Sequence, residues 1–394
     1  MKGLSNSISP IFLLAILLLI AHSALSQPSS DYKYSPPARL SDGIQTGTLR
    51  SVKLDEAKVS AGMNEVLKRT YGNIHSVLIF RNGKLVCEEY FTGPDENNHK
   101  GEIGIVAHNR ETLHDTRSIS KSVVALAVLI AHSQGKIKDL DQPIFSYFPE
   151  YASHAEGEKN NITVRHALTM TPGFEWGEEF SYSNPANTAY QMNRAPDTIE
   201  FVLSRKLIQR PGTKFEYSGG TTQLLAAIVK KTTGSNIEEF TRKHLLIPLG
   251  ITKYEWAELK PGQPDADSGL RLRSRDIAKI GLLLVNGGMW NGKRIVPQKL
   301  IADAMAEHAK VSSDEKTGDV VTYGYQIWRF AFRPDDNWPS SFIELSGNGG
   351  QKVVIDAKTK VMVVITAGNY DLSGLKKNSF DIYPDLIFSA MLDR

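Results

Sequence analysis

The sequence predicts an α+β fold: an antiparallel sheet assembled from both ends of the chain, flanked by helices, with a mostly helical second lobe between. Three observations predict it. His75-Ser-Val-Leu-Ile-Phe80 and Leu85-Val-Cys-Glu-Glu-Tyr-Phe91 flank Asn82-Gly83, the strongest short-range hairpin signal a sequence offers. A second pair, Gln351–Ile355 and Val361–Thr366, brackets Asp356-Ala-Lys-Thr-Lys360 near the other end. The apolar residues between these pairs recur at helical spacing, so the two ends supply the sheet and the middle is inserted on it.

The elements follow in chain order. Lys2, the apolar run Ile11–Ala21 and Ala24-Leu25-Ser26 together read as a secretory signal over residues 1–26, with cleavage leaving Gln27 first. The run is shorter than the roughly 20 apolar residues a membrane span needs, so the mature form is expected to carry no span and to be exported, periplasmic or secreted. Residues 27–53, rich in Ser, Pro, Gly and Thr, read as a linker or N-terminal arm. A single domain is expected over 54–394, its helical lobe roughly at 135–340. Helices are expected at Leu54–Thr70, Ser118–Ser133 (closed by Gly135), Thr221–Lys231 (closed by Gly234), Ile237–Leu246, Ser274–Leu284 and Val296–His308. An amphipathic helix is expected at Phe380–Leu392.

Composition narrows the class. Apolar residues make up 41% of the 394 and charged residues 23%, the balance of a soluble globular protein. A formal charge of +3 gives no basis for a nucleic-acid partner. Cys87 is the one cysteine, which rules out an internal disulfide, and its Leu85-Val86 context reads as a buried thiol. The ten histidines show no HExxH or paired spacing, so the reading includes no metal and no cofactor.

Chemistry is carried by Ser118-Ile-Ser-Lys121, which opens a helix whose body, Val123–Ile130, is apolar all round. Residues three apart share a helical face, so the Ser118 hydroxyl and the Lys121 amine can meet. A desolvated, uncharged lysine would remove the hydroxyl proton, and free amides of the first turn would help hold an oxyanion. The same Ser-x-x-Lys spacing recurs at Ser30/Lys33, Ser133/Lys136, Ser313/Lys316 and Ser373/Lys376, but none of these opens a long apolar helix.

Two further segments add to the constellation. Tyr217, at the join between Pro211–Glu216 and the helix at Thr221, can lend its oxygen to a Ser–Lys pair. Tyr182-Ser-Asn184 is a rival that fits Tyr-x-Asn to the letter, but it runs into Pro185 in a polar loop. Asn348-Gly349-Gly350-Gln351 leads into a strand. Paired glycines there permit close backbone approach to a substrate, and the Gln351 amide would join that of Ser118 as an oxyanion donor. Phe174, Trp176, Tyr182 and Tyr190 are candidate pocket walls.

Order and context of these motifs resemble the serine β-lactamase and penicillin-binding superfamily, and within it the class C β-lactamase-related esterases and 6-aminohexanoate-dimer hydrolases. Ile162–Gly173, Gly269–Asp276, Asn286–Val296 and Gly347–Gln351 support the resemblance from about residue 60 to the C-terminus. It implies a β-lactamase/transpeptidase-like fold with the site between sheet and helical lobe. It maps the family's Ser-x-x-Lys to Ser118 and Lys121, its catalytic tyrosine to Tyr217, and its Lys-Thr-Gly or His-x-Gly motif to Asn348-Gly349-Gly350.

The sequence departs from that pattern twice. Position 219 is Gly where β-lactamases of this kind carry Asn, and position 348 is Asn where they carry Lys or His. Losing the cation removes a charge-assisted contact to a substrate carboxylate, worth about 1.5–3 kcal/mol. The expected function is therefore an exported serine acyl-hydrolase acting on small esters or amides through an acyl-enzyme on Ser118. A D-alanyl-D-alanine carboxypeptidase or β-lactamase, and an inactive cell-wall-binding relative, are the alternatives.

Overall fold

The computed structural model describes residues 31–333, 339–370, 372 and 374–393. Residues 1–26, read above as a signal peptide, lie outside them. The main sheet has nine strands: β1 (Gln45–Thr46), β2 (Ile74–Arg81), β3 (Lys84–Tyr90), β4 (Ala309–Ser313), β5 (Val320–Tyr323), β6 (Trp328–Ala331), β7 (Ser341–Gly347), β8 (Gln351–Asp356) and β9 (Val361–Ala367). Their spatial order is β1-β3-β2-β9-β8-β7-β6-β5-β4. The two ends of the chain meet where β9 pairs antiparallel with β2, Val364 opposite Leu78. Every junction is antiparallel except the edge pair β1–β3. The β2–β3 turn places Asn82 at φ 53° and Gly83 at φ 75°, the left-handed pair that a tight two-residue hairpin requires.

Four longer helices cover this sheet or build the lobe: α1 (Glu56–Leu67), α2 (Ile119–Ser133), α3 (Gly219–Thr233) and α4 (Ser274–Val285). One face of the sheet is covered by Val59, Met63 and Val66 of α1 together with Leu386 and Ile387 near the C-terminus. The other face carries α2, α4 and the rest of the lobe in one continuous core. Residues 119–131 of α2 are all buried, so the helix runs through the interior as its sequence requires. Each fully buried Val, Leu or Ile there contributes about 1.5–3 kcal/mol of hydrophobic stabilisation. That core fixes the helix start, and Ser118 with it.

Several elements differ from expectation. Residues 31–53 are docked: the Tyr34 hydroxyl donates to the Val86 carbonyl at 2.9 Å, and that of Tyr32 to Glu89 at 2.6 Å. Helical material ends earlier than residue 340, because the stretch 309–331 supplies three strands to the main sheet. The helix expected over Val296–His308 spans only Gln298–Ala304, starting behind Pro297 and stopping as the chain turns into β4. The Phe380–Leu392 helix is instead three short turns, Ser379–Asp381, Tyr383–Ile387 and Phe388–Ala390. Pro384 lacks the N–H that a regular helix would use there.

Candidate active site

Ser118 sits at the position that caps α2, yet its hydroxyl caps nothing. Instead it accepts a hydrogen bond from Lys121 Nζ at 3.1 Å. Arg117, just before it, takes a left-handed backbone at φ 49°, a conformation a non-glycine residue holds only when its surroundings impose it. The surroundings do. Its guanidinium bonds Glu96 at 2.5 Å, lies 3.2 Å from Asp115, donates to Asn98 and stacks on the Tyr370 ring. Ser118 is thus presented by a bent, clamped backbone.

Tyr217 reaches the pair from the loop before α3. Its ring stacks on Trp328 at 5.7 Å, and Lys121 Nζ lies 5.1 Å from its centre. Burial pushes the phenol pKa up, while the Lys121 charge and hydrogen bonding to Ser118 and Lys121 pull it down; the net direction is upward. The structure therefore brings Ser118, Lys121 and Tyr217 together. Tyr182 stands farther out, bonding Glu178 at 3.0 Å at the cavity wall.

Lys121 is not the uncharged amine the sequence reading expects. Burial pulls its pKa down, but electrostatic interaction with Tyr217, Asp267 and Glu178 outweighs burial and leaves it well above the ordinary lysine value. Its ammonium donates to the Asp267 carbonyl at 3.0 Å and lies 3.3 Å from the Asp267 carboxylate. That carboxyl is itself pushed up to about 7, by burial first and then by the charges of Asp265 and Glu178, against the pull of Lys121. Gln223 Nε2 steadies it at 3.1 Å, and His99 bonds the neighbouring Asp265 at 2.8 Å.

Sequence reasoning missed Asp267, Glu178 and Gln223. One signal was available: Asp265-Ala-Asp267 lies one residue before Gly269–Asp276, a segment that supports the family resemblance. Gly219 is the counterpart of Asp267. A Cβ there would meet Asp267 Oδ2 at 2.6 Å and Glu178 at 3.2 Å, so the missing side chain makes room for the carboxylate.

Ser118 opens into a cavity of about 410 Å³, lined by Asn98, His99, Arg117, Tyr182, Tyr190, Arg194, Asp267 and Asn348 among others. A larger one, about 710 Å³, lies between Phe80, Leu284, Phe342 and Lys360 and touches none of the site residues. The volume at Ser118 suits a small molecule.

The remaining candidates divide. Asn348 and Tyr190 line the cavity, whereas Trp176 is buried, donating to Glu178 at 2.7 Å and packing edge-on against Phe201. The glycines at 349 and 350 serve the β7–β8 turn, with φ of 82° and 95°, and press on Tyr370 and on Ser379 with Ala367. Gln351 is sealed beneath that turn, its side chain bonding the Asn348 and Ala367 carbonyls at 3.2 and 2.6 Å. It lines no part of the cavity. Close backbone approach belongs to Gly347 instead, whose Cβ would stand 2.4 Å from the Thr116 carbonyl.

The family model described as Beta-lactamase matches residues 74–377. The chain belongs to the β-lactamase family. A 6-aminohexanoate-dimer hydrolase of Paenarthrobacter ureafaciens is 25% identical over 253 residues, 58% of this chain and 56% of that protein. This chain thus spans little more than half of that relative's length. Among solved structures, EstCE1, a hydrolase with promiscuous acyltransferase activity, superposes with a TM-score of 0.65 at 17% identity, covering 86% of this chain and 99% of its own. A family VIII carboxylesterase gives 0.62 at 17%, covering 85% and 97%. The family's shared fold is the mostly antiparallel sheet flanked by helices described above.

Proposed function

We propose that this β-lactamase-family chain is an exported serine acyl-hydrolase that cleaves small, polar esters or amides through an acyl-enzyme on Ser118. One observation carries the reading: Lys121 and Tyr217 converge on Ser118, which opens into a small-molecule cavity. The names of the relatives, an amide hydrolase and esterases, support the substrate class.

The proton inventory suggests the sequence of steps. At rest Lys121 holds its proton. Moving that proton to Asp267 leaves a neutral amine and a neutral acid, the two forms burial favours. The amine then takes the Ser118 proton as Oγ attacks the carbonyl carbon, with the Ser118 amide and a second amide of the turn at 348–351 holding the oxyanion. Lys121 and Tyr217 return a proton to the leaving oxygen or nitrogen as its bond breaks. Water attacks the ester so formed and loses a proton to the same groups, which pass it to Ser118 Oγ as its bond to the acyl carbon breaks and the acid leaves.

Arg194 favours a second reading, a substrate with an acidic end such as a D-alanyl peptide. It lines the cavity, with its guanidinium 3.4 Å from the Tyr190 ring centre. Parallel assays with p-nitrophenyl esters, linear amide dimers, a D-alanyl-D-alanine peptide and a chromogenic cephalosporin test both. Ester or amide turnover that vanishes in Ser118→Ala supports the main proposal; turnover of the D-alanyl peptide alone would replace it. Export is tested separately, by the N-terminal sequence of the mature protein, which should begin at Gln27.

A further inference from the structure

Away from the catalytic triad, four buried side chains converge where the hairpin Thr92–Asn97/Gly101–Ala107 meets β2 and the short strand His114–Asp115: His75, His108, His114 and Asp95. Two backbone carbonyls fix the tautomers. A carbonyl can only accept, so His75 Nε2, 3.0 Å from the Pro94 oxygen, must carry a hydrogen, as must His114 Nδ1, 3.0 Å from the Asp115 oxygen. With both rings neutral, the nitrogens left over, His75 Nδ1 and His114 Nε2, are lone pairs facing each other at 2.7 Å.

Two lone pairs at that distance repel unless something cationic lies between or beside them. Asp95 Oδ1 completes a triangle with them at 3.8 and 3.6 Å. His108 stacks on His75 at 3.9 Å, and its Nε2, buried, has no hydrogen-bond partner among the described residues. Single donor atoms of His75, Asp95 and His108 all lie within 4.8 Å of one another.

We infer that His75, His108 and Asp95 form a buried site for one divalent cation of the zinc class, with His114 packed beside it. Imidazoles and a carboxylate suit that class, and ring N–H groups held by backbone carbonyls are the usual outer support of metal-binding histidines. The three donors are buried and none lines the cavity at Ser118, so the ion is structural. It would also supply the positive charge that the buried Asp95 carboxylate needs. The competing arrangement is a proton shared between His75 and His114.

The site has a route to the nucleophile. Glu96 and Asn98 of the same hairpin hold Arg117 beside Ser118, and His114 lies four residues before it. Tying down the hairpin therefore steadies the bend that presents Ser118.

The test is metal binding by the whole mature protein, stripped with a chelator and then exposed to Zn²⁺ or Co²⁺. One Zn²⁺ per chain should survive dialysis and raise the Tm by about 5 °C. Co²⁺ should give visible bands of a tetrahedral site, present in Ser118→Ala and lost in His108→Gln and Asp95→Asn. Retention of no metal, an unchanged Tm, or equal binding by His108→Gln would each overturn the inference. So would nuclear magnetic resonance showing one proton shared by His75 and His114 in Zn²⁺-treated protein.

Discussion

Asp267 occupies the space that a side chain at Gly219 would fill: a Cβ on Gly219 would stand 2.6 Å from Asp267 Oδ2. The buried carboxylate beside Lys121 and the bare backbone at the start of α3 are therefore one adaptation spread over two positions. Gly219→Ala should cost about 1–3 kcal/mol by overpacking. Gly219→Ala combined with Asp267→Gly should recover much of it, giving a coupling of about 0.5–3 kcal/mol in a double-mutant cycle by urea unfolding. Additive costs would show that the two positions do not share the space.

Asp267 also sets a pH dependence. Its folded pKa, about 7, lies above the unfolded carboxylate value, so the native state binds this proton more tightly than the unfolded chain does. The stability it contributes is fully present below pH 4 and is lost as pH rises through about 7. Asp267→Asn should remove that decline. The measurement is Tm at pH 5 and pH 8 for both proteins, and the gap between the two pH values should shrink in the variant. In the same variant the limb near pH 7 in kcat/KM should disappear.

Tyr217→Phe keeps the ring that stacks on Trp328 and removes only the oxygen. The rate should fall about 10²–10⁴-fold in kcat, with little change in KM, because the loss is of proton transfer and not of binding. Tyr182→Phe, by contrast, removes a bond to Glu178 at the cavity wall and should act chiefly on KM. Steady-state kinetics on a p-nitrophenyl ester distinguish the two.

Position 348 sets whether a further cation stands beside Arg117 and Arg194 at the cavity. Asn348 lines it without a cation, so acylation by a chromogenic cephalosporin should be slow beside ester turnover. Asn348→Lys should speed β-lactam acylation about 10-fold or more, since a charge-assisted contact is worth about 1.5–3 kcal/mol. An unchanged rate would show that the carboxylate of such a substrate does not reach this residue.

The sheet was legible because its strands are written in period-two and turn chemistry around Asn82-Gly83 and Asp356–Lys360. The helix bearing Ser118 was legible because an all-apolar body can only be buried. What escaped was set by distant packing. The strands at 309–331 have no alternation clear enough to separate them from the helical lobe. Gly349 and Gly350 look like a ligand-facing pair, yet they serve a turn that packs on Tyr370. The protonation of Lys121 depends on Asp267, which lies 146 residues away and meets it only in the fold.

The central claim is that Ser118 is the activated nucleophile. Intact mass of the full-length mature protein after brief exposure to a fluorophosphonate probe tests it most directly. One adduct per chain, mapped to Ser118 and absent from a folded Ser118→Ala variant, is the result predicted. Equal labelling of the variant, or no labelling of the parent protein, would contradict it.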